Sequence, residues 1–219
     1  MRTISFVTQK GGTGKSHLAI SLAVMAEQKG EKVCIIDLDP QKTAANWYET
    51  RVSETPAVIT ADQIGPLPET LKKLEANGYT LAIIDTQGSD THGSRGAMAA
   101  ADLSLIPIRP SEADIRASVP TAAALSDMGK RFVFLINQAQ PSPRARLTSA
   151  VSLRLSTSYD VAPLAIALRL DHPYSYALGQ GVSEYDPHGK AAAEIGDLWA
   201  WCRKQIGEHK HADQKKRRA

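Results

Sequence analysis

The chain has 219 residues, of which 42% are apolar and 22% charged, and its formal net charge is +3. That balance is ordinary for a soluble globular protein and leaves room for one domain with a sizeable core. It excludes a membrane-spanning chain, since no apolar run is long enough. No signal peptide is expected, and Cys34 and Cys202 lack metal-ligand spacing, which points to two reduced, structural thiols in a cytoplasmic protein.

Residues 3–8 read as a strand and residues 15–29 as a helix stopped by Gly30. Between them runs Gln9-Lys10-Gly11-Gly12-Thr13-Gly14-Lys15-Ser16, in the strand–loop–helix setting that a phosphate-binding loop requires. Gln9 stands where the general pattern has its first glycine, and Lys10 is a lysine that the general pattern does not need. Gly11, Gly12 and Gly14 let the backbone curl so that its N–H groups face a phosphate, and the helix N-terminus adds partial positive charge. Lys15 is placed to reach the β- and γ-phosphates, and Ser16 offers a hydroxyl to Mg²⁺.

Val33–Ile36 reads as the second strand, with Asp37, Leu38, Asp39 and Pro40 at its carboxyl end. Thr43–Arg51 reads as a short helix, Ala57–Ile59 as a short strand, and a helix from Pro66 or Pro68 runs to Asn77-Gly78. Leu81–Ile84 is a strand ending in Asp85, followed by Thr86-Gln87-Gly88 and by Thr91-His92-Gly93-Ser94, read as a loop beside it. A strand over Asp102–Ile108 precedes a helix over Ser111–Met128, with Pro120 as a candidate kink or break. Arg131–Ile136 is a strand with Asn137 at its end, Pro141-Ser142-Pro143 a loop, and Arg144–Leu155 a helix. Val161–Ile166 is a weaker strand, and Lys190–Ile206 the final helix.

Strands that are apolar at consecutive positions, alternating with helices, predict an α/β fold with an open, mostly parallel sheet flanked by helices on both faces. Ligands of such sheets sit beyond the carboxyl ends of the strands, where Asp37, Asp39 and Asp85 lie beside the glycine loop. Asp37 and Asp39 are candidates for ordering Mg²⁺ and an attacking water, and Asp85 for holding Mg²⁺ through its water shell. Trp47, Trp199 and Trp201 are expected to pack or meet a partner. The charge is uneven: residues 208–219 carry five Lys/Arg against two acids, so residues 1–207 are formally neutral. The expected organisation is one domain over 1–207 and a basic, flexible tail over 208–219.

The run Lys10–Ser16, together with Ile35-Ile36-Asp37-Leu38-Asp39-Pro40-Gln41, resembles the ParA/MinD family of deviant Walker-type P-loop ATPases, closest to the small plasmid and chromosome partition proteins. Ile83–Gly88 resembles the family's Walker B strand and switch II, and Lys190–Ile195 the start of its last helix. The resemblance covers residues 1–206. It implies that ATP and ADP bind with Mg²⁺ at Gly11, Gly12, Thr13, Gly14, Lys15, Ser16 and His17, with Asn137 on the adenine side. It implies that Lys10 crosses to the nucleotide of a second subunit, that Asp39 positions water, and that Ser16, Asp37 and Asp85 serve the metal, with Lys10, Lys15 and Asp39 as the catalytic set. Gln87 stands where the family usually has proline.

The function implied is a slow ATPase that dimerises with ATP, binds DNA non-specifically on the nucleoid, and segregates a plasmid, chromosome or large cargo. A ParB-like or adaptor protein would stimulate it, and Arg169, Lys190, Arg203, Lys204 and the tail are the DNA candidates. A MinD-like division-site regulator is the alternative, but residues after Ile206 lack the apolar stripe of a membrane-binding helix. A biosynthetic amidoligase of the cobyrinate-synthase type is another. A metal-carrier ATPase would want a Cys-x-x-Cys pair, and a non-catalytic DNA-binding protein would not need Lys15, Asp39 and Asp85. Strand one begins at residue 3, so no N-terminal helix–turn–helix module is expected.

Overall fold

The computed structural model describes residues 1–89, 92–142 and 146–216, with side chains through residue 207. Among these, seven strands form one parallel sheet: β1 (Arg2–Phe6), β2 (Val33–Asp37), β3 (Ala57–Thr60), β4 (Leu81–Asp85), β5 (Leu103–Ile108), β6 (Phe132–Ala139) and β7 (Val161–Ala167). Their order is β3-β2-β4-β1-β5-β6-β7. The helices are α1 (Lys15–Gln28), α2 (Thr43–Thr50), α3 (Leu67–Ala76), α4 (His92–Ala100), α5 (Glu112–Asp127), α6 (Arg146–Ser156), α7 (Asp171–Ala177), α8 (Val182–Tyr185) and α9 (Lys190–Lys216).

Consecutive apolar residues in a strand point to opposite faces, so each run feeds two cores. Ile4 and Phe6, Val33 and Ile35, Leu81 and Ile83, Leu103 and Leu105, and Val133 and Leu135 join α1, α2, α8 and α9 on one face. Cys34 and Ile36, Ala82 and Ile84, Ile106 and Ile108, and Phe134 and Ile136 join α3 to α6 on the other. The parallel, two-faced sheet expected from the sequence is what forms. Trp47 and Trp199 are buried in the first core, with Trp201 packed against it. Cys34 and Cys202 are buried free thiols, and burial pushes the Cys34 thiol up to about 12.

The local expectations differ at several points. His92–Ser94 begins α4 instead of a loop: Ser94 is buried in its first turn, its hydroxyl donating to the Ser89 carbonyl at 3.0 Å. Pro120 neither breaks nor ends α5, because the helix carries it on its exposed face. Two short helices, α7 and α8, and a 3₁₀ turn at Ala61–Gln63 had no periodic signal and were not anticipated. The last helix continues to Lys216, past Ile206. Thr91, Pro143 and Arg144 lie outside the described residues, as do the tail side chains.

β1 sits at the centre of the sheet. The chain leaves it for β2, two places to one side, and later reaches β5 on the other, so the carboxyl ends of β1, β4 and β2 open on a topological switch point. Register brings the acids together there: Asp85 pairs with Phe6 of β1 and with Asp37 of β2.

Candidate functional site

The loop between β1 and α1 takes left-handed backbone at Gly12 (φ 74°) and Gly14 (φ 86°), conformations that a side chain resists. Gly14 is the N-cap of α1 and supplies no side-chain cap, which leaves the first-turn N–H groups for a ligand. Two amide side chains from the end of β6 hold this loop from outside. Asn137 Nδ2 donates to the Thr13 carbonyl at 2.7 Å, and Gln138 Nε2 donates to the Gly12 carbonyl at 3.1 Å. Adjacent strand residues normally face opposite ways. Here both reach the loop because Gln138 is left-handed (φ 54°) and the β6–β7 ladder shifts register at that point.

Lys15 is buried at the start of α1 and forms no ion pair among the described residues. Burial lowers its pKa, while the charges of Asp85 and Asp39 pull it back up. Asp85 is fully buried, and neither carboxylate oxygen has a hydrogen-bond partner among the described residues. Burial pushes it up to about 7; the nearby Ser16 side chain and Lys15 pull it down, Asp37 and Asp39 up. A buried carboxylate without donors is costly unless a cation joins it. Asp85 and the Ser16 hydroxyl therefore suit a hard divalent cation. Among the described residues no group of three or more His, Cys, Asp or Glu side chains could hold a metal alone. That suits Mg²⁺, which characteristically takes one or two carboxylates and completes its shell with water and phosphate.

Asp37 has a different local task. Its Oδ1 accepts the Asp39 N–H at 3.0 Å, and its Oδ2 accepts those of Ala44 and Ala45 at 2.9 and 3.1 Å. It thus ties the β2 end to the start of α2 and shapes the turn that carries Asp39. Asp39 is half-buried, and its Oδ1 accepts the Gln41 N–H at 2.9 Å. Gly88, after β4, packs directly on the loop: a Cβ there would lie 2.9 Å from the Gly11 nitrogen. The Thr86 hydroxyl donates to the Phe6 carbonyl at 2.8 Å, anchoring the same segment to β1.

The Lys10 side chain leaves its own loop for α5. Its Nζ donates to Asp114 Oδ1 of α5 at 2.5 Å. Asp114 is buried and also engages Arg109 and Ser111. Sequence reading missed Asp114, although Ser111-x-x-Asp114 is the spacing of a helix-capping box.

Beside the loop lies a cavity of about 190 Å³, lined by Gly14, His17, Asn137, Leu168, His172 and Pro173 among others. The His17 ring meets the Tyr176 ring at 5.0 Å between centroids, and the Tyr176 hydroxyl donates to the Thr43 carbonyl at 3.1 Å. Trp47 Nε1 donates to the Gln180 carbonyl at 3.1 Å, and the buried Arg51 side chain grips Glu184 at 2.7 Å. The cavity wall on α7 is thereby fastened to α2, which follows the Asp39 turn. Both ring nitrogens of His172 are buried without partners among the described residues, and burial pulls its pKa down to about 4.

Of the surface cations expected to meet DNA, Arg169 is already engaged: its Nε and Nη2 donate to Glu194 at 3.1 and 2.6 Å. Lys190, Arg203 and Lys204 are exposed on α9.

Residues 4–151 match the family model described as the CobQ/CobB/MinD/ParA nucleotide-binding domain. The protein virC1 of Rhizobium radiobacter is 24% identical over 72% of this chain and 68% of its own. The protein ParA of the same organism is 32% identical over 52% of this chain and 51% of its own, so the chain spans about half to two thirds of these relatives. In fold, the septum site-determining protein MinD of Pyrococcus horikoshii, complexed with Mg-ADP, superposes with a TM-score of 0.74 at 20% identity, over 94% of this chain and 97% of that one.

Proposed function

The chain belongs to the CobQ/CobB/MinD/ParA nucleotide-binding family, and from that premise we propose that it is an ATPase that closes as a homodimer around ATP, binds DNA without sequence preference in that state, and positions a plasmid, chromosome or other large cargo. The observation that carries the reading is the pairing of a loop bearing both Lys10 and Lys15 with the partnerless, buried Asp85. Relatives named as chromosome-partitioning proteins support the biological side.

In this reading Lys15 and the uncapped N–H groups of α1 bind the phosphates and stabilise charge that develops on them. Ser16 and Asp85, with Asp37 behind them, hold Mg²⁺, which when bound neutralises phosphate charge. Asp39 orients the attacking water, and Lys10 completes the partner subunit's site. Asn137 gives one amide N–H to Thr13, which leaves its oxygen and its second N–H to meet a base. An acceptor and a donor side by side suit the exocyclic amino group of adenine and its neighbouring ring nitrogen. The base sits in the cavity lined by His17, Asn137 and His172.

Among the described residues no helix is long and apolar enough to cross a membrane. We place the protein in the cytoplasm, on the nucleoid, with a ParB-like or adaptor protein accelerating hydrolysis. The test is dimerisation and binding to random-sequence DNA with ATP and with ADP. The reading requires both to be stronger with ATP and the DNA binding to weaken as salt rises; equal DNA binding with the two nucleotides overturns it.

A further inference from the structure

The hold on Lys10 is shared in an unusual way. Asp114, 1% exposed, accepts from Lys10 Nζ at 2.5 Å and from the Ser111 hydroxyl at 2.9 Å. It also accepts three bonds from Arg109: the backbone N–H at 3.1 Å, Nε at 3.0 Å and Nη2 at 3.1 Å. Burial alone would raise the Asp114 carboxyl, but the Arg109 and Lys10 side chains hold it well below the usual carboxylate range.

A buried carboxylate with one cationic partner binds that partner firmly, because departure strands an unpaired charge. Asp114 has two cations, and they are held differently. Arg109 sits at the end of β5, five residues before Asp114, and its planar fork spans both carboxylate oxygens. Lys10 contributes a single contact from a flexible stem on another loop. If Lys10 leaves, Asp114 still has a full countercharge and four donors.

We propose that Arg109 is a positioning residue for Lys10: by neutralising Asp114 it lets Lys10 detach and reach the nucleotide of a second subunit. This rests on the dimer reading above. Lys10 is parked, not locked, and Arg109 sets how readily it leaves. Without Arg109, Lys10 becomes the sole cation of a buried carboxylate and stays within its own subunit.

The test uses the full chain with Arg109→Met, Arg109→Lys, Asp114→Asn and the double variant Arg109→Met/Asp114→Asn, each checked for folding by thermal melting. Two quantities are read: dimerisation with a non-hydrolysable ATP analogue by sedimentation, and the rate at which Lys10 of the nucleotide-free monomer is acetylated by acetic anhydride, by mass spectrometry. Arg109→Met should dimerise about tenfold more weakly and slow Lys10 acetylation, and Arg109→Lys should restore most of both. The double variant should return to wild-type behaviour, because the trapping carboxylate has gone. Wild-type behaviour in Arg109→Met, or a double variant as impaired as the single one, overturns the proposal. A wild type that stays monomeric with the analogue overturns the dimer reading instead, and Lys10 acetylation unchanged by Arg109→Met then overturns the role of Arg109 as well.

Discussion

Gly88 and Gly11 meet backbone to backbone: a Cβ on Gly88 would stand 2.9 Å from the Gly11 nitrogen and 3.0 Å from its Cα. The segment after β4 and the glycine loop after β1 are therefore in close backbone contact. Gly88→Ala should force them apart, at an overpacking cost of about 1–3 kcal/mol. Calorimetry should register this as a lower melting temperature, by roughly 2–12 °C for a chain of this size. An unchanged melting temperature would show that the segment yields freely.

Gly14 is constrained from two sides, by φ 86° and by Asn137, whose Nδ2 would lie 2.4 Å from an added Cβ. Gly14→Ala should lose about 1–3 kcal/mol through backbone strain alone, and more if Asn137 is displaced from Thr13. Equilibrium dialysis with labelled ATP should show binding lost together with stability, because one contact serves both.

Lys15 and Lys10 should separate cleanly in a binding experiment. Lys15→Ala removes a charged phosphate contact and should weaken ATP by about 10- to 100-fold, the range expected for a charge-assisted hydrogen bond. Lys10→Ala should leave monomer affinity unchanged, since Lys10 rests on Asp114, and should lose dimerisation. Calorimetric titration of the two variants decides this; equal losses of monomer affinity would mean that both lysines serve one subunit.

Asn137→Asp replaces a donor with an acceptor facing the Thr13 carbonyl. Two acceptors at that distance repel, so the variant should lose about 1–3 kcal/mol of stability and bind ATP poorly. Asn137→Ala should be milder in stability yet lose preference for ATP over GTP, measured by competition with a fluorescent nucleotide.

His172 supplies a pH dependence. Its pKa falls to about 4 in the folded chain, from an ordinary value of 6.5, because burial disfavours the cation. The unfolded chain therefore binds the extra proton first as pH falls below 6.5. The stability linked to His172 is complete above that pH and is lost down to about 4, at up to about 1.4 kcal/mol per pH unit. Chemical denaturation at pH 7 and pH 5 should show a smaller loss in His172→Leu than in the wild type.

The strands and their direction were legible because a parallel sheet covered on both faces demands unbroken apolar runs, and such runs stand out in this chain. The short helices α7 and α8 were not legible. They have few residues, no full apolar stripe, and are held by distant groups such as Trp47, Arg51 and Thr43. Asn137 is legible as the residue that closes a strand, but that it and Gln138 both reach the glycine loop depends on a ladder irregularity with no signature in the sequence.

The order of residues by itself determined the phosphate loop, because glycine spacing, the two lysines and the strand–helix setting are local properties of a short segment. It also placed Asp37, Asp39 and Asp85 at strand ends, since the apolar runs stop there. Only the tertiary structure decided which charges meet. Strand order set Asp37 beside Asp85, among the described residues Asp85 was left without a donor, and α5 carried Asp114 to Lys10 across 104 positions. Pairing across such separations depends on how strands stack and which side chains lose their water, and no local pattern encodes that.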